Sequence, residues 1–191
     1  MKPRTSLAAL AAALLAVTFA AGCSGSEDLG PLGDPTAAQH RIDALIDETA
    51  KAITPAVTLT PYIGFIYDEE RNVFGNETGY AEVERQSYLE ERFAEGKRAV
   101  LFDQVEKYWK NQGCTINAKK PDDQQKYISA TCPDKAHVMV DAYSDGVVGI
   151  KSWVEKTKFR SGGNPFPNTQ TPLPTASRHP AGQQDHPYWS H

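Results

Sequence analysis

Five histidines, three cysteines and two acidic runs are the residues of this chain whose types could do chemistry. His179, His186 and His191 stand near the C-terminus among Pro, Gly and Ser, well apart from His40 and His137. A flexible histidine trio can hold a metal weakly, but His-Pro pairs in such a segment read as inert. His137 opens an apolar stretch with Asp141 four residues on, a spacing that does not make a metal-binding pair on a strand. A Ser-His-Asp relay needs no closeness in sequence. The chain nevertheless has no Gly-x-Ser-x-Gly elbow and no glycine-rich phosphate loop. Asp68-Glu69-Glu70 and Glu90-Glu91 bring carboxylates together, as glycoside hydrolysis and calcium binding both require. Their simpler reading is a solvated loop and a strand end. Tyr108, Trp109, Trp153 and the segment Tyr62–Tyr67 could line a ligand groove, and are read instead as closing a core between helix and sheet. No residue is assigned a catalytic, cofactor-binding or metal-binding role.

Cys23 calls for a different explanation, because of what precedes it: "MKPRTSLAALAAALLAVTFAAGC". Lys2 and Arg4 form a short basic start, and Leu7 to Ala21 is uncharged and rich in Ala and Leu. That is the pattern of a secretory signal, short for a membrane span. The small residues Ala20-Ala21-Gly22 leading into Cys23 resemble the lipobox of bacterial lipoproteins, although leucine is commoner where Ala20 stands. The resemblance implies that the sulfur of Cys23 receives a diacylglycerol, that residues 1–22 are removed, and that Cys23 becomes the acylated N-terminus. An ordinary signal peptide, with Cys23 incidental, is the alternative. Each buried methylene contributes about 0.8 kcal/mol, so two or three acyl chains such as palmitate hold a protein durably on a bilayer. Residues 23–34, mostly Ser, Gly, Pro, Asp and Glu, then read as a flexible tether.

Removal of residues 1–22 takes Lys2 and Arg4 with it, so 20 basic and 24 acidic side chains become 18 and 24, a net charge of −6. There is no basic run, which argues against nucleic acid as a partner. The bilayer is expected as a partner only through acylated Cys23. With Cys23 acylated, Cys114 and Cys132 remain. Two thiols without nearby histidines leave a zinc tetrahedron half empty, and their spacing is far from Cys-x-x-Cys. In an oxidising compartment such a pair becomes a disulfide.

Several elements must position these residues. A helix is expected from Pro35 to Ile53, capped by Asp34, with Ile42, Leu45, Ile46, Thr49 and Ile53 on one stripe. Ala56 to Glu70 reads as a strand, placed at an edge or bulge by Pro61. Arg71 to Tyr80 reads as a loop. Ala81 to Phe93 fits both strand and helix, and a strand paired with the preceding one is favoured. A second helix follows in "GKRAVLFDQVEKYWKNQG", with Leu101, Val105, Tyr108 and Trp109 on one face and Gly113 at the C-terminal cap.

The remainder reads as an antiparallel meander whose register can be worked out. A turn near Pro121-Asp122-Asp123, with residues paired so that their numbers sum to 246, sets Cys114 opposite Cys132, Ile116 opposite Ala130 and Ala118 opposite Ile128. The other face then pairs Thr115 with Thr131, Asn117 with Ser129 and Lys119 with Tyr127. A one-residue slip would mix the faces. The cysteines come within disulfide reach, closing a loop of nineteen residues. In the next hairpin a three-residue loop, Ser144-Asp145-Gly146, pairs Ala142 with Val148, Val140 with Ile150 and Val138 with Ser152.

The expected fold class is thus α+β, a two-layer sandwich with two main helices on one face of an antiparallel sheet. It spans residues 35–159 as one globular domain. Residues 160–191, rich in Pro, Gly, Ser, Thr and Gln, are expected to be a disordered tail whose deletion leaves the melting temperature unchanged. The stretches "VEKYWKNQGCTI" and "DAYSDGVVGIKS" are similar to ones in uncharacterised actinobacterial envelope lipoproteins. That resemblance implies location and fold rather than activity. The expectation for function is a non-enzymatic binding module on the outer face of the cytoplasmic membrane, engaging an envelope protein or a small ligand. The alternative is a hydrolase acting on envelope material.

Overall fold

The computed structural model describes residues 29–60, 63–120, 126–158 and 184–191. Cys23, the signal segment, the turn at 121–123 and His179 lie outside the described residues, as do the side chains of Tyr62–Tyr67. A 3-10 turn at Gly30–Gly33 leads into helix α1 (Pro35–Lys51). The Asp34 carboxylate accepts from the amides of Thr36 and Ala37, as its position before Pro35 implied. Strands β1 (Ile63–Arg71) and β2 (Glu77–Tyr88) form a hairpin, helix α2 (Glu95–Asn111) follows, and strands β3 (Thr115–Lys120), β4 (Lys126–Thr131), β5 (His137–Ala142) and β6 (Val148–Lys158) form a meander. Pairing of β2 with β6 joins the two units into one antiparallel sheet of order β1-β2-β6-β5-β4-β3.

Both helices cover one face of this sheet, α1 over β2 and β6 and α2 over β3 and β4. The core lies between the layers. The α1 stripe of Ile42, Leu45 and Ile46 and the α2 residues Leu101, Phe102, Val105 and Trp109 meet Ile128, Ala130, Val138, Val140, Val148 and Ile150 of the sheet. At its centre the Trp109 indole donates to Thr49 Oγ1 at 2.9 Å, which satisfies two buried polar groups at once. Tyr108 is half-buried and donates to Glu48; burial and then that carboxylate push its hydroxyl up to about 12.

The cysteine register holds. Cys114 and Cys132 are joined, and Thr115–Thr131 and Ile116–Ala130 pair as the sum of 246 requires. Beyond Ile116 the register shifts: Ala118 faces Ser129, Lys119 faces Ile128 and Lys120 faces Tyr127, in place of the expected Ala118–Ile128, Asn117–Ser129 and Lys119–Tyr127 pairs. The bulge at Asn117 turns Lys119 to the helical face. There its ammonium lies 2.5 Å from Asp103 and 2.6 Å from Glu106 of α2. The β5–β6 hairpin matches expectation throughout, with Gly146 at φ +90° closing the loop.

Further expectations are corrected, among them the strand expected over Ala56–Glu70, which runs Ile63–Arg71 with Leu59 only bridging Leu89. The loop expected over Arg71–Tyr80 is confined to the turn between β1 and β2, because Asn72 Oδ1 accepts from the amides of both Phe74 and Asn76 and closes the chain there. The tail expected to be disordered to its end instead packs its last eight described residues on the domain. Gln184 bridges Glu91 in parallel, and Trp189 is fully buried. Its indole donates to the Pro55 carbonyl at 3.0 Å and lies 4.8 Å from the Phe93 ring. One large aromatic side chain outweighs the polar composition around it.

Candidate functional site

The docked C-terminal segment contributes Ser190 to the wall of an open cleft of about 800 Å³. Also lining it are the first turn of α2, the link Arg92–Ala94 before it, and the loop Ser144–Gly146. Two backbone hydrogen bonds and one side-chain bond hold the walls together: Phe93 N donates to Gly146 O at 2.8 Å, Ala94 N to Trp189 O at 2.7 Å, and Ser190 Oγ to Arg92 O at 2.7 Å. Gly146 is required twice. Its φ is left-handed, and a Cβ there would meet Arg92 Cγ at 2.7 Å and Phe93 O at 3.0 Å.

Three cations from three elements converge on the cleft: Arg92 of the link, Arg98 of α2 and Lys126 of β4. Arg98 is the unusual one. It is 5% exposed, and its guanidinium makes one hydrogen bond, from Nη2 to Ser144 O at 3.1 Å. Its Nε is buried without a partner, and among the described residues no carboxylate is bonded to it. Burying a cation with a single hydrogen bond and no bonded carboxylate costs several kcal/mol in general. Glu95, one turn earlier on α2, is exposed and committed to Lys126 at 2.6 Å; that bond, then the charges of Lys126 and Arg98, hold its carboxyl below the ordinary range. The N-cap of α2 is Ala94, whose side chain cannot accept, so the positive end of the helix also opens here without a side-chain cap.

Sequence reasoning overlooked Arg98. The signal was available: position 98 falls three residues before Leu101 and seven before Val105, on the stripe that buries α2. A charged residue on an apolar stripe marks either a buried ion pair or a site.

The face of the sheet away from the helices carries the remaining candidates. His137 stacks on Trp153 at 5.0 Å, and its Nδ1 lies 3.1 Å from Thr131 Oγ1. Its Nε2 is 3.5 Å from Glu155, and these residues border a smaller cavity of about 360 Å³ beside Leu29 and Leu32. Trp153 therefore does not close the helix–sheet core as expected, whereas Trp109 does. Asp141, on the same strand as His137, stands apart from it in the row Tyr127–Asp141–Gly149–Tyr88. It is 5% exposed with Oδ1 unpartnered, and burial pushes its carboxyl up to about 6 against a smaller opposing effect of Lys151. Among the described residues there is no cluster of metal-ligating side chains. The acidic run at Glu90-Glu91 is structural at Glu91, whose carboxylate accepts from Thr58 N at 2.9 and 3.0 Å.

Comparison with family models, curated proteins and solved structures returned no match for this chain.

Proposed function

We propose that the chain is an envelope lipoprotein, anchored to the outer face of the cytoplasmic membrane through acylated Cys23, whose domain is a non-enzymatic binding module receiving its ligand at the α2 cleft. The anchor rests on Ala20-Ala21-Gly22-Cys23 after the uncharged run. The observation that carries the binding reading is Arg98, a buried guanidinium with an unpartnered Nε on the wall of an open cleft. Such a group is costly to the free protein, and a ligand that brings negative charge to the cleft offsets that cost. The test is a thermal-shift screen of fractionated envelope extract against the processed protein. A ligand present at one hundred times its Kd stabilises by about 2.7 kcal/mol. A fraction that raises the melting temperature of wild type and not of Arg98→Met supports the reading; no such fraction overturns it.

A hydrolase acting on envelope material is the second reading, favoured by the Thr131–His137–Glu155 array beside a cavity. It is the weaker of the two. Glu155 is largely exposed, and at 3.5 Å it lies beyond the hydrogen-bond reach that orients a catalytic imidazole. Hydrolysis of an activated ester that is abolished by His137→Ala would reverse the ranking.

A further inference from the structure

We propose that the ligand group received by the cleft is a tetrahedral oxyanion of the phosphate type, held by Arg98 and Arg92 with Lys126 released to it by Glu95. The proposal rests on the binding-module reading and specifies its ligand.

A single carboxylate would be satisfied by one guanidinium. Here cations approach from three separate elements, and the uncapped first turn of α2 adds the positive end of a 17-residue helix. That set suits a tetrahedral anion whose oxygens meet donors from several directions at once. Arg98 supplies the fixed charge: its guanidinium lines the cleft, held in place by Nη2 on Ser144 O, while Nε is sealed behind it. Arg92 is exposed, with no bond from its guanidinium among the described residues, and can close over the ligand. Lys126 is largely buried at 15% side-chain exposure, whereas its partner Glu95 is 78% exposed. Glu95 is thus the mobile half of the pair. It keeps the empty cleft from being overly positive, and it can swing into water when an anion takes its place. Asp145, the other acidic wall residue, has Oδ1 engaged by Val147 N at 3.2 Å.

The experiment is calorimetric titration of the processed full chain, in neutral detergent micelles at low ionic strength. Inorganic phosphate is the probe, and chloride of matched ionic strength is the control. Phosphate should bind and chloride should not. Arg98→Met should weaken phosphate by about tenfold or more, the loss of one charge-assisted contact. Arg92→Gln should weaken it about threefold, and Glu95→Gln should tighten it, because the competitor for Lys126 is gone. The last two are exposed positions, so the proposal stays testable if Arg98→Met fails to fold. A second arm uses glycerophosphoglycerol, a phosphodiester of lipid headgroup chemistry. Tighter binding than inorganic phosphate assigns the site to a phosphodiester, and weaker binding to free phosphate. Phosphate binding no stronger than chloride, or Glu95→Gln weakening it, overturns the proposal. An uncharged envelope ligand that stabilises wild type but not Arg98→Met would overturn the oxyanion alone and leave the binding-module reading standing.

Discussion

Trp189→Ala removes the side chain that docks the C-terminal segment. Trp189 is fully buried, its ring lies 4.8 Å from Phe93, and its indole is the donor to Pro55 O. Truncation of a buried tryptophan costs about 3–5 kcal/mol, and the orphaned Pro55 carbonyl belongs to that sum rather than adding to it. For a domain of this size each kcal/mol lowers the melting temperature by about 2–6 °C, so a fall of roughly 6–30 °C is expected. Far-UV circular dichroism is the suitable probe, since the substitution removes a fluorophore. Urea unfolding separates two versions of the outcome. A lower midpoint with unchanged slope means the segment unfolds with the whole domain. A lower slope means it detaches first, leaving less surface to expose. A fall of less than about 2 °C would refute the packing argument and restore the expectation of a tail independent of the fold.

Three further outcomes are expected. Reduction of Cys114–Cys132, or replacement of both by Ala, lowers stability by about 2–4 kcal/mol with the fold retained, and maleimide labels neither thiol until a reductant is added. Asp141→Asn stabilises the protein by roughly 2 kcal/mol at neutral pH, after allowing for partial solvent contact, and by almost nothing below pH 4. The sign follows from its carboxyl being raised from 3.8 to about 6. Between those values the unfolded chain releases its proton while the folded one holds it, so wild-type stability falls as pH rises. Above about 6 the whole burial cost is present, and the difference between variant and wild type across a pH series of melts isolates it. Cys23→Ala leaves an uncleaved precursor or releases the protein from membranes, and intact mass of the wild-type membrane form shows acyl chains on a chain beginning at Cys23.

What was legible in the sequence was what local alternation encodes. The β5–β6 register follows from Val138, Val140 and Ala142 against Val148, Ile150 and Ser152, because only one loop length puts them on one face. The Cys114–Cys132 pairing follows in the same way. The register failed at Asn117 because the cause is not local: Lys119 turns inward to reach Asp103 and Glu106 on a helix that alternation between two strands does not see. The C-terminal segment failed for the opposite reason. Averaging over a polar stretch hides one tryptophan, and one tryptophan in a prepared groove is enough to order eight residues.

The cleft was illegible because none of its parts means anything alone. Gly146 is required by the hairpin loop and would be there for the register. Trp189 is explained by burial, and Ala94 is simply a poor N-cap. The fold makes these into a site by bringing the loop of the β5–β6 hairpin against the start of α2, with Ser190 of the C-terminal segment beside them. Arg98 is the one member that those structural needs do not account for. A leucine or methionine at that position would continue the stripe of Leu101 and Val105, and would spare the protein a buried charge. Its structural return is one hydrogen bond, from Nη2 to Ser144 O. That asymmetry, more than the shape of the cleft, is what supports reading the cleft as a binding wall.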